Sequence, residues 1–205
     1  MRLSTLLAAT AATLALATAG AANATQYVLQ YSNAFDDAVF GTVDVTGTST
    51  DLHFVINVDP YFIVDTGAHY AVAMNLSGSG FAYVGPAGFT LETGTNLQSA
   101  PFGGFNVALN CTDACGNGGG PPHPASPFVF DITGTGLGVL AADNFEGHSI
   151  NFAVDLVGPN NTGVVGGGLG GGGGVPEPSA WALMILGFGG VGATIRNRRR
   201  SLVTA

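Results

Sequence analysis

DLHFVINV, residues 51–58, is the stretch whose reading decides the fold. Leu52, Phe54, Ile56 and Val58 alternate with Asp51, His53, Val55 and Asn57, so an extended chain here has one apolar and one mixed face. Successive side chains of a strand point to opposite sides, and a period of two is what a half-buried strand requires. The same period runs through TVDVT at 42–46, FVFDI at 128–132, and Ile150, Phe152, Val154 and Leu156. Weaker strand candidates are YVLQY at 27–31, YAVAMNL at 70–76, FAYV at 81–84, GFTLE at 88–92 and FNVALN at 105–110. Clusters of Gly, Pro, Asn and Ser separate them, which is turn chemistry. Eight or nine short strands with turns between them predict an all-β ectodomain, an antiparallel β-sandwich of jelly-roll-like type.

Away from the two ends, only LGVLAADNF at 137–145 offers a turn or two of helix. Residues 111–127, with GNGGGPPHPASP in their middle, read as an exposed loop, because proline lacks an amide donor and glycine is costly to order. TGTGLG at 133–138 reads as a turn, since no helix follows to complete a nucleotide-binding loop. Residues 162–175, TGVVGGGLGGGGGV, offer few side chains to bury and predict a flexible tether, so the folded domain is expected to end near 156–159.

Charge narrows the function. The five basic residues are Arg2, Arg196, Arg198, Arg199 and Arg200, and nothing between Arg2 and Arg196 is Lys or Arg. Residues 25–174 carry twelve carboxylates and four histidines, a body that repels phosphate backbones. Nucleic acid is therefore excluded as a partner, whereas divalent cations, neutral glycans and a hydrated polymer matrix are compatible.

The ends read as addresses. Met1 and Arg2, an apolar run over 3–19 and the small-x-small Ala22-Asn23-Ala24 predict a secretory signal peptide over 1–24, a signal helix cut after Ala24. Export places Cys111 and Cys115 of CTDAC in an oxidising setting, where a short disulfide loop is the expected state. Zinc with His123 as a third ligand is the sharper alternative, but it lacks a fourth ligand at usual spacing. At the other end, 180–195 are uncharged, a short transmembrane helix of about 24 Å against a hydrocarbon core of about 30 Å. Trp181 would sit at the outer interface, with the arginines held on the cytoplasmic side.

Pro176-Glu177-Pro178, then Trp181-Ala182, then an apolar stretch holding Gly187-Phe188-Gly189, then Arg196 and Arg198 to Arg200, together resemble the PEP-CTERM protein-sorting signal. The segment is most similar to its PEPxxWA variant. The resemblance implies recognition by exosortase, a membrane-embedded cysteine protease or transpeptidase of Gram-negative bacteria that also make exopolysaccharide. It further implies transient inner-membrane insertion, cleavage near the Pro-Glu-Pro, and passage of the body to the cell surface or matrix. Pro176 and Pro178 have fixed φ and keep the residues before them from helix, which leaves the peptide extended as a protease requires. FIVDTGAHYAVAMNLSGS, 62–79, also resembles a segment recurrent in ectodomains that carry such tails, and it assigns no activity.

The expected organisation is thus 1–24 signal peptide, 25–159 β-sandwich, 160–175 Gly-rich linker and 176–205 sorting signal. The expected role is structural or adhesive, with no catalysis and no cofactor. Two alternatives stand beside it: a carbohydrate-binding module of the matrix, and an aspartic hydrolase centred on Asp65 of the single Asp65-Thr66-Gly67, whose mechanism needs a second carboxylate to share a proton. Asp143, Glu146 and His148 form a weaker candidate metal patch, at a spacing that fits no EF-hand loop. Asn75, Asn110 and Asn160 head Asn-x-Ser/Thr triplets that carry little weight in a bacterium.

Overall fold

The computed structural model describes residues 24–32, 34–35, 39–66, 69–115, 122–140, 144–159 and 161–169. DLHFVINV lies on β3 (Asp51–Asn57), where Leu52, Phe54 and Ile56 are buried and the residues between them are not. Its neighbours are β2 (Gly41–Thr48) and β9 (Phe128–Val139), both antiparallel to it. Working outward, β1 (Thr25–Tyr31) pairs with β2 and β13 (Thr162–Leu169), and β13 pairs with β12 (Phe152–Val157). β12 pairs with β5 (Val72–Met74) and, at its far end, with the short β4 (Phe62–Ile63). β5 leads to β8 (Gly104–Cys111) and that to β7 (Phe89–Gln98), while β6 (Leu76–Val84) lies beyond β9. A separate hairpin joins β10 (Asn144–Phe145) to β11 (His148–Ser149).

The fold is therefore all-β and antiparallel, as the periodicity predicts, and no helix occurs among the described residues. Eleven strands make one sheet that curls nearly into a barrel, with the consecutive strands β6 and β7 at its two edges. Its halves face each other across one core as sandwich layers do: Phe54 stacks on Phe130 at 4.9 Å and meets Phe152 of the opposite half at 6.2 Å. Each of these rings is fully buried, worth about 1.5–3 kcal/mol apiece. Both expected helices at the chain ends lie outside the described residues.

Three local expectations change. Residues 133–138 are no turn but the second half of β9, laddered to β6 through two register shifts. The helical turn expected from 137 is absent in the part described, since 137–139 finish β9 and 144–145 are β10. The third change is the largest: 162–169, expected as the beginning of the tether, form β13, which lies between β1 and β12. The folded body thus runs to Leu169, and the expected boundary at 159 falls between two paired strands.

The glycines of β13 have a packing reason. A second apolar layer, with Phe102, Phe105 and Ile150, covers the outer face of β5, β12 and β13. A Cβ on Gly166 would lie 2.7 Å from the Phe102 ring, and one on Gly168 would lie 2.5 Å from the Ser149 carbonyl oxygen. Bare backbone is what lets these covering segments seat on the strand. Being covered on both sides also explains why β12 is buried over 152–156 with no alternation.

Asn75 is the corner where the chain leaves one half of the sheet for the other. Its side-chain oxygen accepts the Asn106 N–H at 2.8 Å, while Asn106 Oδ1 accepts the Leu76 N–H at 2.9 Å and Asn106 Nδ2 donates to the Leu76 carbonyl at 2.6 Å. These bonds replace the ladder that a chain changing layers gives up. β1 begins and β13 ends side by side, Tyr27 opposite Leu169, so both ends of the body leave from one end of the barrel.

Candidate functional site

The Asp65 segment enters from β4, which is held on β12 as an added edge. The Val64 N–H continues this pairing by donating to the Asp155 carbonyl at 3.0 Å. The chain then leaves the ladder, and side chains take over. Asp155 Oδ2 accepts both the Thr66 N–H at 2.7 Å and the Thr66 hydroxyl at 2.6 Å, while the Asp155 N–H donates to the Ala71 carbonyl at 3.1 Å. Asp65 reaches the other way, and its Oδ2 accepts the Cys111 N–H at 2.8 Å.

A second carboxylate lies near enough to act on Asp65 through its charge, and it is Asp155, which sequence reasoning did not single out. Its signal was a lone acid within an otherwise apolar strand, AVDLV. Burial pushes the Asp155 carboxyl above its ordinary range, and the two Thr66 bonds and the His69 ring act against that. Burial also raises Asp65; the Cys111 amide pulls it back, and Asp155 and Glu92 add to the rise. Glu92 accepts hydrogen bonds from the Tyr70 hydroxyl and from Asn110 Nδ2, both at 3.1 Å. Asp155 is fully buried, with Oδ1 lacking a hydrogen-bond partner among the described residues. A hydrolytic pair presents two carboxylates to one shared water. Here each carboxylate fastens a backbone segment: Asp155 holds the loop onto β12, and Asp65 holds it to the end of β8.

Cys111 and Cys115 are joined as a disulfide, so neither sulfur is a thiolate able to bind zinc. His123 stacks on Phe62 at 4.7 Å. Among the described residues no group of three His, Cys, Asp or Glu side chains is arranged to hold a metal ion. Of the weaker patch, Glu146 and His148 lie on the β10–β11 hairpin, and Asp143 is outside the described residues. His53 Nδ1 and Asp131 Oδ1 lie 2.6 Å apart as directly opposed residues of β3 and β9, a half-exposed pair of small energetic weight.

Of the residues expected to serve sorting, Ala24 is exposed and immediately precedes β1. Ala22, Pro176, Glu177, Pro178, Trp181, Arg196, Arg198, Arg199 and Arg200 lie outside the described residues, as does the uncharged run at 180–195. Among the described residues no helix is long and apolar enough to cross a membrane.

Taken together, these features define a barrel-like all-β body whose two ends leave side by side and whose C-terminal extension carries the functional label. Residues 174–200 match the family model of the PEP-CTERM protein-sorting motif. The motif implies an exported protein, sorted by its C-terminus and processed by exosortase. No curated protein and no solved structure matches the chain.

Proposed function

We propose that the body is a non-catalytic component of the cell surface or exopolysaccharide matrix, structural or adhesive in role, set free when exosortase cuts near Pro176-Glu177-Pro178. The sorting motif at 174–200 carries this reading. The charge of the body supports the destination, because a surface with carboxylates and no Lys or Arg suits a hydrated, neutral matrix better than an anionic partner. The commitment of Asp65 and Asp155 to backbone donors supports the non-catalytic role. In the precursor the tail inserts in the inner membrane with its arginines on the cytoplasmic side, and it serves only until processing.

Replacing Pro176, Glu177 and Pro178 together with alanine tests the reading in the producing cell. The variant is expected to collect in the inner-membrane fraction while the parent chain leaves it. An identical distribution of the two would contradict the assignment.

A further inference from the structure

An open groove of about 550 Å³ lies on the outside of the barrel where the end of β1 meets the β10–β11 hairpin. Its volume is within the range of pockets that hold small organic ligands, about 300–1,000 Å³. Tyr31 and His148 stack on one another at 4.4 Å, His148 is exposed, and Phe145 and the largely exposed Val39 add further apolar wall. Gln30 donates through Nε2 to the Tyr31 hydroxyl at 2.9 Å, which leaves its amide oxygen as an acceptor. Glu146, at the hairpin turn with φ of 50°, is exposed and has no hydrogen-bond or ion-pair partner among the described residues. Left-handed backbone at a non-glycine residue is uncommon, and here it occurs where the hairpin brings an acid to the rim.

The ligand class follows from what the walls offer and what they lack. Flat aromatic faces accept a surface of C–H groups, while a carboxylate and an amide oxygen accept from several hydroxyl or amine hydrogens. Residues 25–174 contain no Lys or Arg to balance a phosphate, sulfate or uronate. We propose that this groove is a saccharide subsite for neutral or amino hexose units, with His148 as the stacking platform and Glu146 as the hydrogen-bond acceptor. The assignment deepens the proposed function and relies on it only for where the sugar is met; the groove itself stands on its own geometry.

The test uses the full-length chain purified in detergent and titrated with oligomers of glucose, galactose, mannose, glucosamine and galacturonate. At least one neutral or amino series is expected to bind saturably, with Kd tighter than about 1 mM. His148→Ala and Glu146→Gln are each expected to weaken that binding at least about tenfold, or 1.4 kcal/mol. Phe62→Ala, outside the groove, is expected to leave it unchanged. Both groove positions are exposed, and unaltered circular dichroism would establish that the variants fold; Glu146→Gln, nearly isosteric, serves if His148→Ala does not. Absence of binding, binding of galacturonate alone, or binding that survives both groove substitutions would overturn the subsite. None of these outcomes bears on whether the tail is cut, so failure of the subsite and failure of the sorting reading remain separate.

Discussion

Ending the chain after Pro159 is expected to leave it unfolded, whereas ending it after Leu169 is expected to preserve the barrel, with circular dichroism and resistance to protease as the readouts. The ten residues between these ends include β13, which hydrogen-bonds to β1 on one side and β12 on the other. Without it both neighbours have open edges, and the covering layer of Phe102 and Ile150 loses Val164 beneath it. Burial of Val164 and Val165 alone is worth about 1.5–3 kcal/mol each, a large part of the roughly 5–15 kcal/mol by which a domain is stable. Lost strand pairing adds to that. A folded, protease-resistant chain ending at Pro159 would refute the place given to β13.

Asp155→Ala is expected to destabilise the body by about 3 kcal/mol at neutral pH, because the half-buried Thr66 N–H and hydroxyl lose their shared charged acceptor. Asp155→Asn keeps an acceptor for Thr66 and removes the charge, so it isolates the proton. The folded-state pKa of Asp155 is raised by burial, which means the fold favours the protonated form. The stability contributed by that preference is fully present below the unfolded pKa and is lost as pH rises through the folded one. Acidification from neutral toward the ordinary carboxylate range should therefore stabilise the parent chain relative to Asp155→Asn. In urea melts the parent midpoint is expected to gain on the Asn variant as the pH falls, and a shift the other way would contradict the burial argument. Asp65, also raised, contributes in the same direction in both proteins, and less in Asp155→Asn because the Asp155 charge that adds to its rise is gone, so the difference between the two keeps its sign.

The alternation at 51–58 made the fold class legible, because β3 has one face on the core and one on solvent. The same logic located β1, β2, β7, β8 and the first half of β9. It failed at β13 for a reason that lies in the side chains themselves: periodicity is read from apolar groups, and Gly163, Gly166, Gly167 and Gly168 have none to read. Composition alone made them a tether, whereas the close seating of Phe102 and Ser149 makes them a strand. The second half of β9 was missed similarly, with glycines at 134, 136 and 138. At Asp65 the sequence showed the single Asp-Thr-Gly but not its partner, since Asp155 lies ninety residues further along and meets the loop only through the pairing of β4 with β12. Of the groove, the sequence singled out Glu146 and His148, but as a metal patch; the groove itself had no linear signal, because Tyr31 and His148 are brought together by the packing of the hairpin on the barrel.

Extending the body to Leu169 also shortens the connection to the sorting signal. Six residues, 170–175, separate Leu169 from Pro176, at most about 25 Å of fully extended chain. If the precursor inserts as proposed above, a connection of this length holds the barrel close to the bilayer by the end from which both ends of the body leave. Under the same proposal, removal of the tail separates it from that surface.

The central claim, that the hydrophobic tail is a removable address on a folded body, is tested most directly by the intact mass of the protein recovered from its producer while exosortase is active. The expected mass is that of a chain beginning at Thr25, with Cys111 and Cys115 oxidised and the segment containing Arg196, Arg198, Arg199 and Arg200 gone. A chain that still has its arginines and remains in the inner membrane would contradict the account.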